Sequence, residues 1–366
     1  MNKNILILAN SDGGLYNFRK ELIEKLVGDG NSVFVAVPFG ERKEDLKALG
    51  CTLVDLKLTR RGTNPIEDLK LLISFRKIIK KVSPFIVLTY TIKPNIYGGL
   101  ACQMCKVPYV SNVTGLGTAV ENPGLLQKLT LFLYKLGLRK SKKVFFQNSE
   151  NQKFMLENKI VVGEQELLPG SGVNLSRYPV QEYPESDMTE FVFVARIMKE
   201  KGIDQYLEAA TYIKNKYPNT KFHICGACDN VSYREKLDKM QSDGIVIYHG
   251  RVKDMLSVYK NVHCTVHPTY YPEGLSNVLL ESSACARPII TTNRPGCREV
   301  IDDGVNGFIV NQKDSKDLIE KIEKFLSLSW EERKNMGLRG RAKVEKDFDR
   351  KIVIEKYCKE IYSVDC

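Results

Sequence analysis

The sequence predicts a doubly wound α/β fold built twice in one chain, and three observations carry that prediction. The chain has 366 residues, which against a prior of about 150 residues per domain asks for two cores. Short β-branched runs alternate with longer helical patterns through the first half, stop, and then alternate again. Between the two series lie Leu168-Pro169-Gly170-Ser171-Gly172-Val173-Asn174 and then Tyr178 to Asp187 with Pro179 and Pro184, a stretch too rich in turn formers to continue either.

In the first series, Ile5 to Leu8, Ser32 to Val37, Thr52 to Leu56, Ile86 to Leu88, Tyr109 to Asn112 and Val144 to Gln147 read as strands. Phe18 to Asp29, Arg42 to Leu49, Ile66 to Lys81, Asn95 to Lys106 and Gly124 to Leu138 read as the helices between them. The second series starts with strand Glu190 to Val194. It runs through helix Asp204 to Lys216, strand Thr220 to Cys225, helix Tyr233 to Ser242 and strands Ile245 to His249 and Cys264 to His267. Helix Ser276 to Ala286, strand Pro288 to Thr291 and a last pair of helices from Ser315 complete it. Right-handed crossovers make each sheet parallel. The expected layout is an N-terminal Rossmann-like domain over 1–168, a linker over 169–188, a second Rossmann-like domain over 189–345, and a C-terminal helix over 346–366 packing back towards the first domain. Two such domains face each other across a cleft, with ligands beyond the strand C-termini.

Composition narrows the function classes. The chain is 43% hydrophobic and 27% charged, as soluble globular proteins are, and no apolar run approaches the ~20 residues of a spanning helix. Polar Asn10, Ser11 and Asp12 end the first apolar run before any cleavage site could follow, so it reads as a buried strand of a cytoplasmic protein. Cys102/Cys105 and Cys225/Cys228 are C-x-x-C pairs, but no histidine completes either at zinc-finger spacing, and they read as free thiols. The formal net charge of +11 asks for an anionic partner. No nucleic-acid-binding motif accompanies it, which leaves phosphorylated ligands and acidic bilayers.

The strongest local pattern is Glu273-Gly274-Leu275-Ser276-Asn277-Val278-Leu279-Leu280-Glu281. A buried helix starting near Ser276 presents first-turn N–H groups, and Gly274 lets a diphosphate approach them. Glu281 falls on the face shared by Gly274 and Asn277, and Glu273 lies in the loop ahead. By itself the acid pair also fits a capped core helix with an exposed glutamate at either end. A second cluster, Ala195-Arg196-Ile197-Met198-Lys199-Glu200-Lys201-Gly202, follows a strand. Arg196 and Lys201 there are placed to neutralise a diphosphate leaving group.

Together with Tyr248-His249-Gly250-Arg251-Val252, His267-Pro268, Arg287-Pro288-Ile289-Ile290-Thr291-Thr292 and Gly304-Val305-Asn306-Gly307-Phe308, these residues resemble the family-4 glycosyltransferases of the GT-B fold. The resemblance implies a retaining transferase needing no divalent metal or other cofactor, which agrees with the lack of a D-x-D at a strand end. It implies that Arg196 and Lys201 hold the donor diphosphate and Glu281 the ribose hydroxyls. Glu273, with the backbone of Gly274, Leu275 and Ser276, would grip the donor sugar and phosphate, and Gly250, Arg251 and Val252 would line the base pocket.

The first half is similar to a narrower branch, which builds capsules, O-antigens and lipid-linked glycans and includes undecaprenyl-diphosphate-sugar N-acetylgalactosaminyltransferases. Gly13-Gly14 with Tyr16-Asn17-Phe18-Arg19 occupy its glycine-rich loop, and Gly14 would face the donor. Arg61-Gly62-Thr63-Asn64-Pro65, Thr91-Ile92-Lys93-Pro94-Asn95-Ile96-Tyr97-Gly98 and Asn112-Val113-Thr114-Gly115-Leu116-Gly117 carry the rest of the likeness. On that likeness the first domain binds the acceptor, a lipid-linked saccharide, with Asn17, Arg19, Lys93, Asn95, Thr114 and Gly115 on its side of the cleft. Relatives carry a histidine in this half, whereas all four histidines here follow residue 220. That leaves the donor phosphate as the best candidate for the base.

Other classes fit less well. A nicotinamide dehydrogenase needs G-x-G-x-x-G after the first strand, where this chain has Asp12-Gly13-Gly14-Leu15-Tyr16. A UDP-sugar 2-epimerase shares the architecture and would act without an acceptor, and a silent partner subunit would bind without acting. Finally, Leu125, Leu126, Leu129, Phe132, Leu133 and Leu136 recur at helical spacing ahead of Arg139, Lys140, Lys142 and Lys143. This reads either as a core helix with a basic end or as a contact with an anionic inner membrane face.

Overall fold

The computed structural model describes residues 2–58, 64–117, 120, 123–272 and 274–363. They divide into two units, Met1–Ser171 with Lys351–Cys366, and Gly172–Arg350.

Unit 1 is built on strands β1 (Asn4–Leu8), β2 (Ser32–Val37), β3 (Thr52–Asp55), β4 (Ile86–Tyr90), β5 (Tyr109–Val113), β6 (Lys143–Phe146) and β7 (Gln165–Leu167). They form one parallel sheet in the order β3-β2-β1-β4-β5-β6-β7. Side chains alternate between its faces. Ile5, Ile7, Ile86, Leu88, Val110 and Phe145 pack with the helices Asp12–Gly28 (α1) and the C-terminal Arg350–Tyr362. Leu6, Leu8, Val87 and Tyr109 lie under α3 (Pro65–Val82) and α4 (Gly99–Cys105), while Val144 and Phe146 lie under α5 (Leu125–Leu138). Helices α2 (Lys43–Ala48) and α6 (Ser149–Glu157) complete the unit.

Unit 2 repeats the plan with β8 (Thr189–Val194), β9 (Thr220–Cys225), β10 (Ile247–Tyr248), β11 (Cys264–His267), β12 (Ile289–Thr292) and β13 (Gly307–Val310), in the order β10-β9-β8-β11-β12-β13. Phe191, Phe193, Phe222 and Ile224 face α7 (Ile203–Lys216), α8 (Val231–Ser242) and α11 (Ser315–Ser327). Val192, Val194 and Cys225 face α9 (Met255–Asn261), α10 (Asn277–Ala284) and α12 (Trp330–Asp347). The C-terminal helix is α13; its residues from Lys351 on belong to unit 1. Each sheet reverses its winding once, between β1 and β4 and between β8 and β11, and in such sheets the crevice beyond those strand ends takes the ligand.

Three local expectations are corrected. Helix α1 starts at Asp12, not Phe18, so Gly13 and Gly14 form its first turn rather than a loop; Ser11 caps it by accepting from the Gly14 N–H at 3.1 Å. The helix expected over Asn95 to Lys106 opens as a π-helical turn, Pro94–Gly98, before α4. Strands β7 and β13 and helices α6 and α9, too short for a periodicity to show, add to the expected elements.

Candidate functional site

The crevice of unit 2 starts where β8 ends. After Val194 the chain runs through Arg196 into one 3-10 turn, Lys199–Lys201, and then α7. Gly202 makes the turn in the left-handed region (φ 79°), and a Cβ there would stand 2.1 Å from the Pro268 carbonyl oxygen. Only glycine lets the β8 loop lie flush on the end of β11. That contact buries Lys201, whose Nζ sits 4.6 Å from the centre of the Tyr271 ring; the Arg196 guanidinium lies 6.0 Å from the same ring. Burial, with the like charge of Arg196 opposing protonation, pushes the Lys201 ammonium down to about 8 although the Cys297 thiol works the other way.

Across the crevice, β11 ends in His267, 1% exposed. Burial and the nearby Lys201 drive its imidazole down to about 3, so the ring is neutral. Its Nε2 lies 3.3 Å from the Ser276 hydroxyl, and the buried ring also faces the Val194 backbone. Ser276 is the N-cap of α10, yet its hydroxyl does not cap the helix. The Ser276 N–H donates to the Gly296 carbonyl at 2.7 Å, fixing the entry of α10. Gly274 and Leu275 are buried just ahead of it. Glu273 lies outside the described residues.

One turn into α10, Glu281 is pushed up to about 7 by burial, against the opposing pull of Arg177, a hydrogen bond with Tyr178 and the charge of Arg350. A half-protonated carboxyl near neutrality marks a site where a ligand's donors can complete the ion. Gly250, in the left-handed region at φ 64°, follows β10, and its carbonyl accepts from the Gly226 N–H at 2.7 Å. Arg251 is exposed, and Val252 packs against the α9 side of the core. Arg196, Lys201, His267 and Ser276 thus meet in one cluster of unit 2, at the ends of β8 and β11, and Glu281 lies one turn into the helix that Ser276 starts. Tyr271, Arg177 and Tyr178, absent from the sequence expectations, complete the candidate site.

The crevice of unit 1 is made differently. Asp12 accepts from Gly13 at 2.6 Å and from the Gly40 and Arg42 backbone N–H groups at 2.8 and 2.9 Å, so its carboxylate holds two loops together. Gly14 lies in the first turn of α1, and Asn17 is exposed one turn on. Arg19 and Asn95, expected on the acceptor side, are both buried. The Arg19 guanidinium is 4% exposed, 5.0 and 5.6 Å from the Tyr90 and Tyr357 rings. Asn95 is fully buried, accepting from the Thr89 hydroxyl at 2.7 Å and donating to the Asn112 carbonyl at 2.8 Å. Both build the wall from behind. Lys93 pairs with Asp68 at 2.7 Å, and the same carboxylate accepts from Tyr97 at 2.8 Å. Thr91, at the end of β4, sits at φ 73° with its hydroxyl buried and without a hydrogen-bond partner among the described residues; a β-branched residue there is strained. Thr114 and Gly115 follow β5, half-buried. Arg61, Gly62 and Thr63 lie outside the described residues.

The basic end of α5 is also corrected. Lys143 binds Glu360 at 2.9 Å and lies within 3.6 Å of Glu164 and Glu166, and Lys142 lies 3.5 Å from Glu360. Buried Glu360 needs these cations, so only Arg139 and Lys140 point to solvent. Among the described residues no helix is long and apolar enough to cross a membrane.

Comparison with known proteins bears on family and fold. Residues 179–343 match the family described as glycosyl transferases group 1, and residues 4–148 match the glycosyl transferase 4-like family. The chain is 29% identical over 377 residues, 96% of each chain, to the N,N'-diacetylbacillosaminyl-diphospho-undecaprenol alpha-1,3-N-acetylgalactosaminyltransferase of Campylobacter jejuni. It is 30% identical over 315 residues, 81% of each, to the capsular polysaccharide biosynthesis glycosyltransferase CapM of Staphylococcus aureus. In fold it is similar to a glycosyltransferase from Rickettsia africae (TM-score 0.83, 18% identity, 99% of this chain and 98% of that). It is likewise similar to Anabaena HepE solved with UDP and glucose (TM-score 0.81, 16% identity, 99% and 100%).

Proposed function

The chain belongs to the group 1 glycosyltransferases of the GT-B fold, and from that premise we propose that it moves a hexose or N-acetylhexosamine from a UDP-sugar to a lipid-linked saccharide in cell-surface glycan synthesis, with retention of configuration. The observation that carries this reading is the desolvated Lys201 beside Arg196 at the end of β8, across the crevice from His267 and the start of α10. As the C1–O bond to the diphosphate breaks, negative charge grows on the leaving oxygen, and two fixed cations in a poorly solvated crevice stabilise it most at that moment. The acceptor oxygen forms the new bond to C1, and its proton passes to the departing phosphate. Glu281, ionised when ribose hydroxyls donate to it, holds the nucleoside. Glu273, with the Gly274–Ser276 backbone, grips the donor sugar, and Gly250 to Val252 line the base pocket. Unit 1 takes the acceptor with Asn17, Lys93, Thr114 and Gly115, and the Arg139 and Lys140 end of α5 lies against an anionic membrane face.

This reading draws on the Campylobacter relative for the acceptor class and on the HepE complex for the donor class. Mass spectrometry after incubation with a panel of UDP-sugars and undecaprenyl-diphosphate-linked saccharides should show one sugar added to the lipid, and EDTA should leave the rate unchanged. Conversion of a UDP-sugar without acceptor would indicate an epimerase instead. Loss of activity in EDTA, restored by magnesium or manganese, would show that the two cations do not suffice.

A further inference from the structure

Helices α3 and α5 each bury one stripe and leave a second apolar stripe in water. On α3 the inner stripe is Leu71, Phe75, Ile79 and Val82. Its outer face carries Ile66 (65% exposed), Leu69 (58%) and Ile73 (46%), three and four residues apart and therefore on one side. On α5 the inner residues are Thr130, Tyr134, Gly137 and Leu138, and the outer ones are Leu125 (87%), Leu126 (47%), Leu129 (55%) and Phe132 (57%). Both helices cover the same face of the unit 1 sheet, with α4 between them and touching both, so their outer stripes look the same way. The exposed Met104 of α4 adds to that surface.

The stripes are also aligned along the helices. In a parallel sheet each crossover helix runs back against the strands, so its N-terminal half lies at the strand C-terminal edge. Ile66 to Ile73 and Leu125 to Phe132 are the N-terminal halves of α3 and α5, and they lie at the edge that holds Thr91 and the start of α1. Cations occupy the outer sides of the C-terminal halves: Arg76, Lys77, Lys80 and Lys81 on α3, Lys135 on α5, then Arg139 and Lys140. Helix α5 contains no acidic residue; on α3 Asp68 is engaged by Lys93 and Tyr97, and Glu67 is the one exposed acid. An apolar field of this extent on one layer calls for a partner. Its basic surround and the +11 charge of the chain match an anionic lipid surface, into which amphipathic helices sink their apolar side while lysines reach the headgroups.

We propose that unit 1 seats on an anionic bilayer through the paired outer stripes of α3 and α5, both of which enter the acyl boundary, with the α5 basic end as only one corner of the contact. The inference rests on the lipid-linked acceptor reading and adds the second helix, insertion rather than surface attraction alone, and the orientation: the strand C-terminal edge beside the apolar field, where a lipid-borne diphosphate would meet it.

The test uses the full chain with phosphatidylglycerol–phosphatidylcholine vesicles. Ile73→Trp and Leu129→Trp are made separately, and tryptophan quenching by brominated lipid is measured against the wild type, whose single tryptophan is Trp330. Quenching at both introduced positions is expected. Changing Ile66, Leu69 and Ile73 to Ser together should lower vesicle partitioning about tenfold or more, with transfer to a short water-soluble acceptor unchanged. Bound protein whose Trp at 73 is not quenched would overturn the two-helix seat while leaving the α5 contact and the transferase reading standing. A dimer that the triple Ser variant converts to monomer in light scattering, with no quenching by lipid, would assign the face to a second copy and overturn the proposal. No vesicle binding at low salt, with transfer to the soluble acceptor intact, would remove the membrane seat and leave the chemistry untouched.

Discussion

The two sheets share a winding pattern, and each buries a cation near its crevice, but the two cations are treated in opposite ways. In unit 1 the Arg19 guanidinium lies against both the Tyr90 and Tyr357 rings and donates to the Phe18 carbonyl at 2.7 Å. The tyrosine partners raise its already high pKa although burial works against it. It ties α1, β4 and α13 together. In unit 2 burial costs Lys201 its charge above about pH 8. The first arrangement holds a charge within the fold, and on the proposed reading the second offers one to the donor diphosphate. Burial alone therefore does not mark a functional cation, and a lowered pKa does not either, since buried Arg287 of unit 2 is pushed down to about 10 by its burial.

Arg287 supplies the sharpest control, because it is fully buried in unit 2 and satisfied. It donates to the carbonyls of Tyr259 at 2.6 Å and Gln181 and Lys260 at 3.3 Å, and to those of Ala286 and Glu182. Arg287→Ala would leave these carbonyls buried without donors and open a cavity, at a cost of about 3–5 kcal/mol. Denaturant unfolding should show that loss. A melting point unchanged by the substitution would mean the guanidinium is dispensable and the contrast with Lys201 false.

Lys201→Met should act in the reverse sense. With a folded pKa near 8 against 10.5 unfolded, the protonated lysine opposes folding by about 3 kcal/mol at neutral pH. The unfolded chain binds more protons between those values, so wild-type stability should rise as pH climbs through that window. Met removes both the penalty and the rise. Transfer should fall by about 10- to 100-fold through loss of a charge-assisted contact of about 1.5–3 kcal/mol. A variant that is both less stable and fully active would sink the assignment.

Glu281 gives a smaller, pH-dependent effect. Its folded pKa near 7 lies above the unfolded value, so the native state holds the extra proton and wild-type stability falls as pH rises from about 4.5 to 7. If ribose hydroxyls donate to the carboxylate, UDP affinity should rise up to about tenfold per pH unit below 7 and level off above it. Calorimetry with Glu281→Gln should show weaker UDP binding and no such slope. An unchanged slope would place the titrating group elsewhere.

These predictions lean unevenly on the sequence. The central strands of both sheets were legible because each is a compact apolar run buried on two faces, as Ile5–Leu8 and Phe191–Val194 are. Arg196, Lys201, Ser276 and Glu281 were legible because loop and helix start are contiguous in the chain. Tyr178 was not, since its meeting with Glu281 crosses a connector that reads only as turns. The start of α1 was hidden by Gly13 and Gly14, poor helix formers overruled by the Ser11 cap. Lys142 and Lys143 looked like a surface patch until Glu360, more than two hundred positions away, came back on α13.

The smallest effect concerns Thr91, where unit 1 departs most from an ideal strand end. A left-handed β-branched residue costs about 1–3 kcal/mol, and glycine removes that strain while adding about 1 kcal/mol of unfolded-chain entropy. Thr91→Gly should therefore leave stability level or raise it by up to about 2 kcal/mol. The hydroxyl is buried at the end of β4 with no partner among the described residues, beside the crevice proposed for the acceptor, so its loss should register in transfer. The KM for the lipid-linked saccharide should rise while donor affinity, set in unit 2, stays level. Thr91→Ser, which keeps the hydroxyl, should restore most of the acceptor affinity. Equal KM values for wild type and the glycine variant would make the strained turn a feature of packing alone, and the crevice of unit 1 would then have to select its acceptor through the residues after β5.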